Sequence, residues 1–225
     1  MGIRVVTIKW HGHACFEIIS SDGFSIVIDP HDGGSIGLKP PEAKADVVLM
    51  THDHFDHNAW HVVLKPGGEK HLMKEGEFKV GNKYKVIGVK AYHDKYRGRR
   101  RGNVIIYKVH VNNISIIHLG DLGHILDPET ASKLRPVDVL MVPVGGTFTI
   151  DAKEAYEVVK ELEPKAVVPM HYWIRGVNLP LAPVDNFLSI IDLEVIRLNS
   201  NVWQVSKDDL DLWESTKVVV FKEPM

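Results

Sequence analysis

Residues 51–57 read Thr-His-Asp-His-Phe-Asp-His, so three histidines and two aspartates fall within seven positions. Directly before them stands the apolar run Val47, Val48, Leu49 and Met50. Imidazole and carboxylate together suit zinc, iron, manganese or nickel, and charge of this density is costly to hold inside a fold unless a cation neutralises it. Side chains two residues apart share one face of an extended strand, which lets His52 and His54 reach a common point beyond the strand end. Asp56 and His57 follow as the chain turns and can address a second point, so the spacing suits two ions a few ångströms apart. A pair of ions needs more than four ligands, and candidates recur after later apolar runs: His93, Asp121 and His171.

Those side chains converge only if several strands end together. Apolar, β-branched runs predict strands over residues 3–9, 14–19, 24–28, 47–50, 85–91, 104–111, 114–119, 137–142, 166–168, 194–198 and 202–205. Helical spacing predicts helices over 58–64, 128–134, 151–162 and 184–191, with Asp151 as N-cap and Glu154 as its capping-box partner. Helices interspersed between strands in both halves predict an α/β architecture, an αβ/βα four-layer sandwich with two sheets inside. Neither repeat nor linker interrupts it, so one domain over residues 1–225 is expected.

Bulk properties narrow the partners. The formal net charge is −2, with 44% apolar and 25% charged residues, so no global field draws the chain to nucleic acid or to a membrane. Cys15 is the only cysteine, which excludes an internal disulfide framework and a thiolate-rich zinc ribbon, and it fits a small hydrophobe in a strand. No stretch approaches the roughly 18 consecutive apolar residues of a membrane span, and residues 1–7 carry no long apolar segment. A cytoplasmic location is expected.

The order of these groups resembles the metallo-β-lactamase superfamily, whose signature is His-x-His-x-Asp-His followed by separate His, Asp and His motifs. More narrowly the chain is similar to the UPF0173-type, UlaG-like metal-dependent hydrolases. Segments 10–16, 28–30, 51–57, 91–93, 118–121, 143–152 and 169–172 carry that likeness. The resemblance implies that His52, His54 and His93 bind one divalent ion and Asp56, His57 and His171 a second, with Asp121 between them. It implies two Zn2+ ions, with Mn2+, Fe2+ or Ni2+ as alternatives. Asp29, His118 and His13 would support the ligands.

The implied chemistry is hydrolysis. A dication lowers the pKa of bound water from about 15.7 to roughly 7–9, so hydroxide made on the metals would attack an ester, lactone or phosphodiester. Asp56 and Asp121 are the expected catalytic carboxylates, with Asp56 or a water on the second metal carrying the proton to the leaving group. Arg97, Arg99, Arg100 and Arg101 follow His93 closely and would suit a small anionic substrate, although a run of this composition is by itself a solvated loop. A nuclease is a second reading, weakened by the near-neutral charge; a non-hydrolytic metal-binding or redox protein on the same fold is a third. His31, His61, His71, His110 and His124 are expected at the surface, with His110 and Lys108 on the solvent face of one strand. Gly145 and Gly146 fit either an anion-binding turn or a tight bend.

Overall fold

The computed structural model describes residues 4–224. The expected first strand began at Ile3, which lies outside the described residues; the strand observed is β1 (Val5–Trp10). With β2 (Phe16–Ile19) and β3 (Ser25–Ile28) it forms an antiparallel meander. β4 (Ala45–Met50) then runs parallel to β3, and after α1 (Trp60–Val63) the chain enters β5 (Leu64–Leu72), parallel to β4.

A second sheet opens with four antiparallel strands: β6 (Gly76–Val80), β7 (Tyr84–Tyr92), β8 (Asn103–Val111) and β9 (Ile114–His118). It continues through α2 (Pro128–Leu134), β10 (Val139–Pro143), α3 (Ala152–Leu162), β11 (Ala166–Met170), α4 (Asp185–Leu188) and β12 (Glu194–Arg197). β13 (Val202–Ser206) crosses back to pair with β1, and after α5 (Lys207–Asp211) the strand β14 (Lys217–Val220) lies between β11 and β12. The two sheets have the orders β13-β1-β2-β3-β4-β5 and β12-β14-β11-β10-β9-β8-β7-β6.

One continuous apolar cluster joins them, with Trp10, Phe16 and Leu49 from the first sheet and Tyr107, Ile116 and Met141 from the second. Each fully buried large side chain contributes about 1.5–3 kcal/mol. Val47 and Leu49 face this cluster, whereas Val48 and Met50 face a second one with Val63, against which Trp60 packs. Both faces of β4 are therefore covered, which is why its sequence runs apolar without alternation. On the outer side of the other sheet α3 buries Ala155, Val158, Val159 and Leu162 and begins with the Asp151–Glu154 capping box. Among the described residues no helix is long and apolar enough to cross a membrane.

Several expectations need correction. The helix predicted over 58–64 shrinks to one turn, and Leu64 opens β5 instead; Pro66 disfavours helical backbone at the residue before it. The helix predicted over 184–191 likewise shortens to Asp185–Leu188. Lys108 is buried, not on a solvent face, because its Nζ donates to the Leu134 carbonyl at 2.7 Å, while His110 is half-buried.

β9, β10 and β11 are mutually parallel, and two antiparallel steps make β7 parallel to β9. Their C-terminal ends therefore open onto one edge, the place where strand-end side chains in α/β folds meet ligands.

Candidate metal centre

Two groups of side chains gather at that edge. His52, His54 and His93 have potential ligand atoms within 4.8 Å of one another, and so do His13, Asp56, His57 and His171. Ring centroids in the first group are 4.5, 4.9 and 5.0 Å apart. The two groups touch where His52 and His57 lie 4.3 Å apart, ring to ring.

Asp121 stands between them. Its Oδ2 lies 3.3 Å from His93 Nε2, 3.2 Å from His171 Nε2 and 3.8 Å from His52 Nε2, while Oδ1 is 3.3 Å from His57 Nε2. Gly120 makes this approach feasible, since its backbone is left-handed (φ 54°) and any Cβ would collide with Thr51 at 2.6–2.8 Å.

The backbone bends sharply to deliver these groups. His13, Asp29 and His171 all adopt left-handed φ values of 50–52°, a conformation that costs a non-glycine residue on the order of 1 kcal/mol or more. The loops of His13 and His171 are tied together by a hydrogen bond from His171 N to the His13 carbonyl, 3.1 Å. Gly145 lets the chain after β10 lie against the His171 carbonyl, where a Cβ would clash. Close backbone approach thus accounts for that glycine.

Asp29 organises the deeper layer. It accepts from Thr51 N at 2.7 Å, Thr51 Oγ1 at 2.6 Å and His57 Nδ1 at 3.0 Å. With its proton given to Asp29, the Thr51 hydroxyl oxygen accepts from His52 Nδ1, 2.9 Å away. The network therefore assigns Nδ1–H to both His52 and His57 and turns their Nε2 atoms toward the centre.

Electrostatics follow from burial and from this crowding. Burial, then the His57 charge, lowers His52 to about 3; burial, then His171, does the same to His13, again to about 3. Both imidazoles are neutral at physiological pH and keep lone pairs for a cation. For His57 burial is the largest influence and opposes charge, but Asp121, Asp56 and Asp29 together outweigh it and raise its pKa well above the imidazole range. Burial pushes the Asp121 carboxyl up, yet His171 and His57 hold it well below the usual range.

The donor set fits a cation on a second count. Among the described residues eight buried side-chain nitrogen or oxygen atoms lack a hydrogen-bond partner, and seven belong to His13, His52, His57, His93, Asp121 and His171. Orphaned buried polar atoms are expensive, and so many within two adjoining histidine groups fit cations that coordinate some of them.

The structure brings all seven sequence-predicted ligand positions into these groups or between them. His13, expected in a supporting position, lies nearer: its Nε2 is 3.1 Å from Asp56 Oδ2 and its ring is 4.1 Å from His171. His118 stays outside, its Nε2 held by the Ala14 carbonyl at 2.8 Å and its Nδ1 accepting from Gly120 N at 3.0 Å. His31, expected at the surface, is fully buried, with Nε2 at 3.0 Å from the His11 carbonyl. Thr51 was not anticipated as a positioning group, although its place immediately before the histidine motif was a usable signal.

The arginine segment is ordered. Asp94 accepts backbone N–H bonds from Tyr96 (2.7 Å), Gly98 (3.0 Å), Arg100 (2.8 Å) and Arg101 (2.8 Å), and those amides, led by Arg101 N, overcome burial to depress its pKa. Arg100 stacks on Tyr96 at 4.0 Å and Arg101 lies over Phe148 at 4.8 Å. None of Arg97, Arg99, Arg100 or Arg101 has a carboxylate partner within 4 Å among the described residues. His54 is half-buried and Phe55 is 58% exposed, which marks the solvent side of the centre.

Comparisons with known proteins find relatives in one superfamily. Residues 7–171 match the family described as beta-lactamase superfamily domain. A UPF0173 metal-dependent hydrolase of Thermococcus onnurineus is 33% identical, the match covering 75% of this chain and 85% of the relative. A second, from Thermoplasma acidophilum, is 32% identical over 73% of this chain and 82% of its own length. A crystal structure from Thermotoga maritima, of a proposed Zn-dependent hydrolase of the metallo-beta-lactamase superfamily, superposes with a TM-score of 0.77 at 35% identity, covering 97% of this chain and 100% of that one.

Proposed function

This chain belongs to the metallo-β-lactamase superfamily, and from that premise we propose a metal-dependent hydrolase that works with two divalent ions on a small anionic ester, lactone or phosphodiester. The observation that carries the pair of ions is the set of seven orphaned buried atoms spread across both histidine groups. One group would be held by His52, His54 and His93, the other by Asp56, His57 and His171 with His13 beside them, and Asp121 reaches both. Zinc suits these nitrogen and carboxylate donors, as do manganese, iron and nickel.

Bound ions would supply a water acidified to a pKa of roughly 7–9 and a Lewis acid for the oxygen of the bond to be cleaved. The chain does the rest. Asp29 and Thr51 fix the imidazoles so that no reorganisation is needed during reaction. Asp56, 8% exposed and hydrogen-bonded to His13, would relay a proton toward the leaving group. Burial pushes its carboxyl up, but the His57 charge leads the influences that hold it well below the usual range, so it stays ionised between transfers. The unpaired guanidinium groups after His93 favour a negatively charged substrate.

The direct test is elemental analysis with turnover. Protein reconstituted with each metal in turn is expected to hold about two ions per chain and to cleave generic phosphodiester or lactone substrates, with activity removed by chelation. A ratio near one, or turnover indifferent to chelator, overturns the proposal.

Asp94→Ala probes the substrate side. Loss of four charge-assisted hydrogen bonds, each worth about 1.5–3 kcal/mol before relaxation, frees the arginine segment. KM for anionic substrates is expected to rise roughly tenfold with metal content unchanged and little change for neutral analogues, since only uniform binding is lost. Equal effects on both substrate types would detach the arginines from recognition.

A further inference from the structure

A cavity of about 890 Å3 includes no member of the histidine groups among its lining residues. His11 lines it, two residues before His13, and Trp173 lines it, two residues after His171. Its walls carry four cations, Lys9, Lys39, Arg175 and Lys222, against two carboxylates, Glu42 and Glu223.

These cations differ from the lysines that line a second hollow. In the other electropositive hollow, of about 540 Å3, Lys83, Lys85 and Lys207 are paired with Asp22, Glu77 and Asp211. In the larger cavity, Lys39, Arg175 and Lys222 have no carboxylate within 4 Å among the described residues, and Lys9 Nζ donates only to the Glu42 carbonyl, 3.2 Å away. Positive charge left uncompensated in a concave site concentrates the local field and draws anions.

The walls are built. Gly37 and Gly176 both have left-handed φ values, 80° and 99°, and pack backbone to backbone, so that a Cβ on either would strike the other's carbonyl. Asn178 N donates to the Ile36 carbonyl at 3.1 Å, joining the same two loops. Trp173 is 46% exposed, yet its backbone is fixed by a 3.0 Å bond to the Ala182 carbonyl. A large indole on an anchored backbone, half open to water and lining the same cavity as unpaired cations, suits a ligand with both a flat apolar part and a negative charge.

We propose that this cavity binds a small anionic ligand carrying a planar ring, of the nucleoside monophosphate class, with Arg175, Lys39 and Lys222 holding the anion and Trp173 covering the ring. The site is separate from the metal centre, so its occupancy does not depend on metal ions.

Titration calorimetry with adenosine 5′-monophosphate, adenosine and inorganic phosphate tests this on the metal-loaded and the chelator-treated protein. Saturable binding of the monophosphate is expected in both, tighter than that of adenosine or phosphate alone. Arg175→Ala, Lys222→Ala and Trp173→Ala should each raise Kd about tenfold or more with metal content unchanged. All three side chains are exposed, so the core is left alone, and Lys39→Glu provides a fourth variant should one fail to fold. Absence of saturable binding, or binding untouched by these substitutions, overturns the proposal. So does binding that vanishes on chelation, which would place the ligand at the metals. Phosphate binding as tightly as the monophosphate, or binding confined to oligonucleotides, also overturns it.

Discussion

Asp121→Ala is expected to lower the metal content from about two ions per chain to one or fewer and to reduce hydrolysis on the order of 10³-fold or more. The magnitude follows from position. Asp121 is 2% exposed, and its two oxygens stand 3.2–3.8 Å from four imidazoles that belong to both histidine groups. No other carboxylate reaches His93 and His171 within 4 Å among the described residues. Its removal takes away the group shared by the two proposed ions and much of the negative charge that offsets two dications in a buried site. His54→Ala removes one ligand of the first group only and should leave the second ion in place. Plasma mass spectrometry on both variants, with circular dichroism as control for the fold, separates the cases. Two ions and wild-type turnover in Asp121→Ala would show that this carboxylate does not lie between metals.

The candidate site was legible because His52, His93, Asp121 and His171 follow closely on apolar runs, where β-structure stops and a polar side chain has no packing reason to be there. His93, Asp121 and His171 are 2%, 2% and 0% exposed, so their burial, invisible in sequence, was implied only by the company they keep. The capping box at Asp151 was equally readable, because it depends on residues three apart and on nothing distant.

What escaped depends on contacts across the fold. β5 and β6 are edge strands rich in Gly, Lys and Glu, mostly exposed, and they exist because β4 and β7 supply hydrogen-bond ladders. Their own residues read as loop. β14 is different: Val218, Val219 and Val220 form an apolar run that periodicity could have found. Lys108 looked solvent-facing because alternation in a strand cannot foresee that the end of α2 would offer a carbonyl to its ammonium. The arginine segment read as solvated because composition does not reveal that one carboxylate, Asp94, gathers four of its amides.

The second large effect concerns Asp29, which makes none of the close contacts to Asp121 yet governs two imidazoles that do. It is fully buried, and its three hydrogen bonds tie β4's end to His57. Asp29→Ala leaves Thr51 N, Thr51 Oγ1 and His57 Nδ1 without their acceptor and should cost about 3–5 kcal/mol of stability, the usual penalty for breaking a buried charged network. Asp29→Asn is the sharper experiment. Its carbonyl can still accept from Thr51 N, but an NH2 in place of Oδ2 donates toward His57 Nδ1 and forces the proton onto Nε2, the nitrogen that faces the centre. Thr51 would lose its acceptor at the same moment, so the restraint on His52 loosens too. Metal affinity should fall roughly 10–100-fold, the range typical of partners that orient a ligand histidine, while the melting temperature drops less than in Asp29→Ala. Competition with a calibrated chelator measures the first and thermal denaturation the second. If Asp29→Asn binds metal as the parent does, His57 is not held in its ligating tautomer by this carboxylate, and the centre draws its order from packing alone.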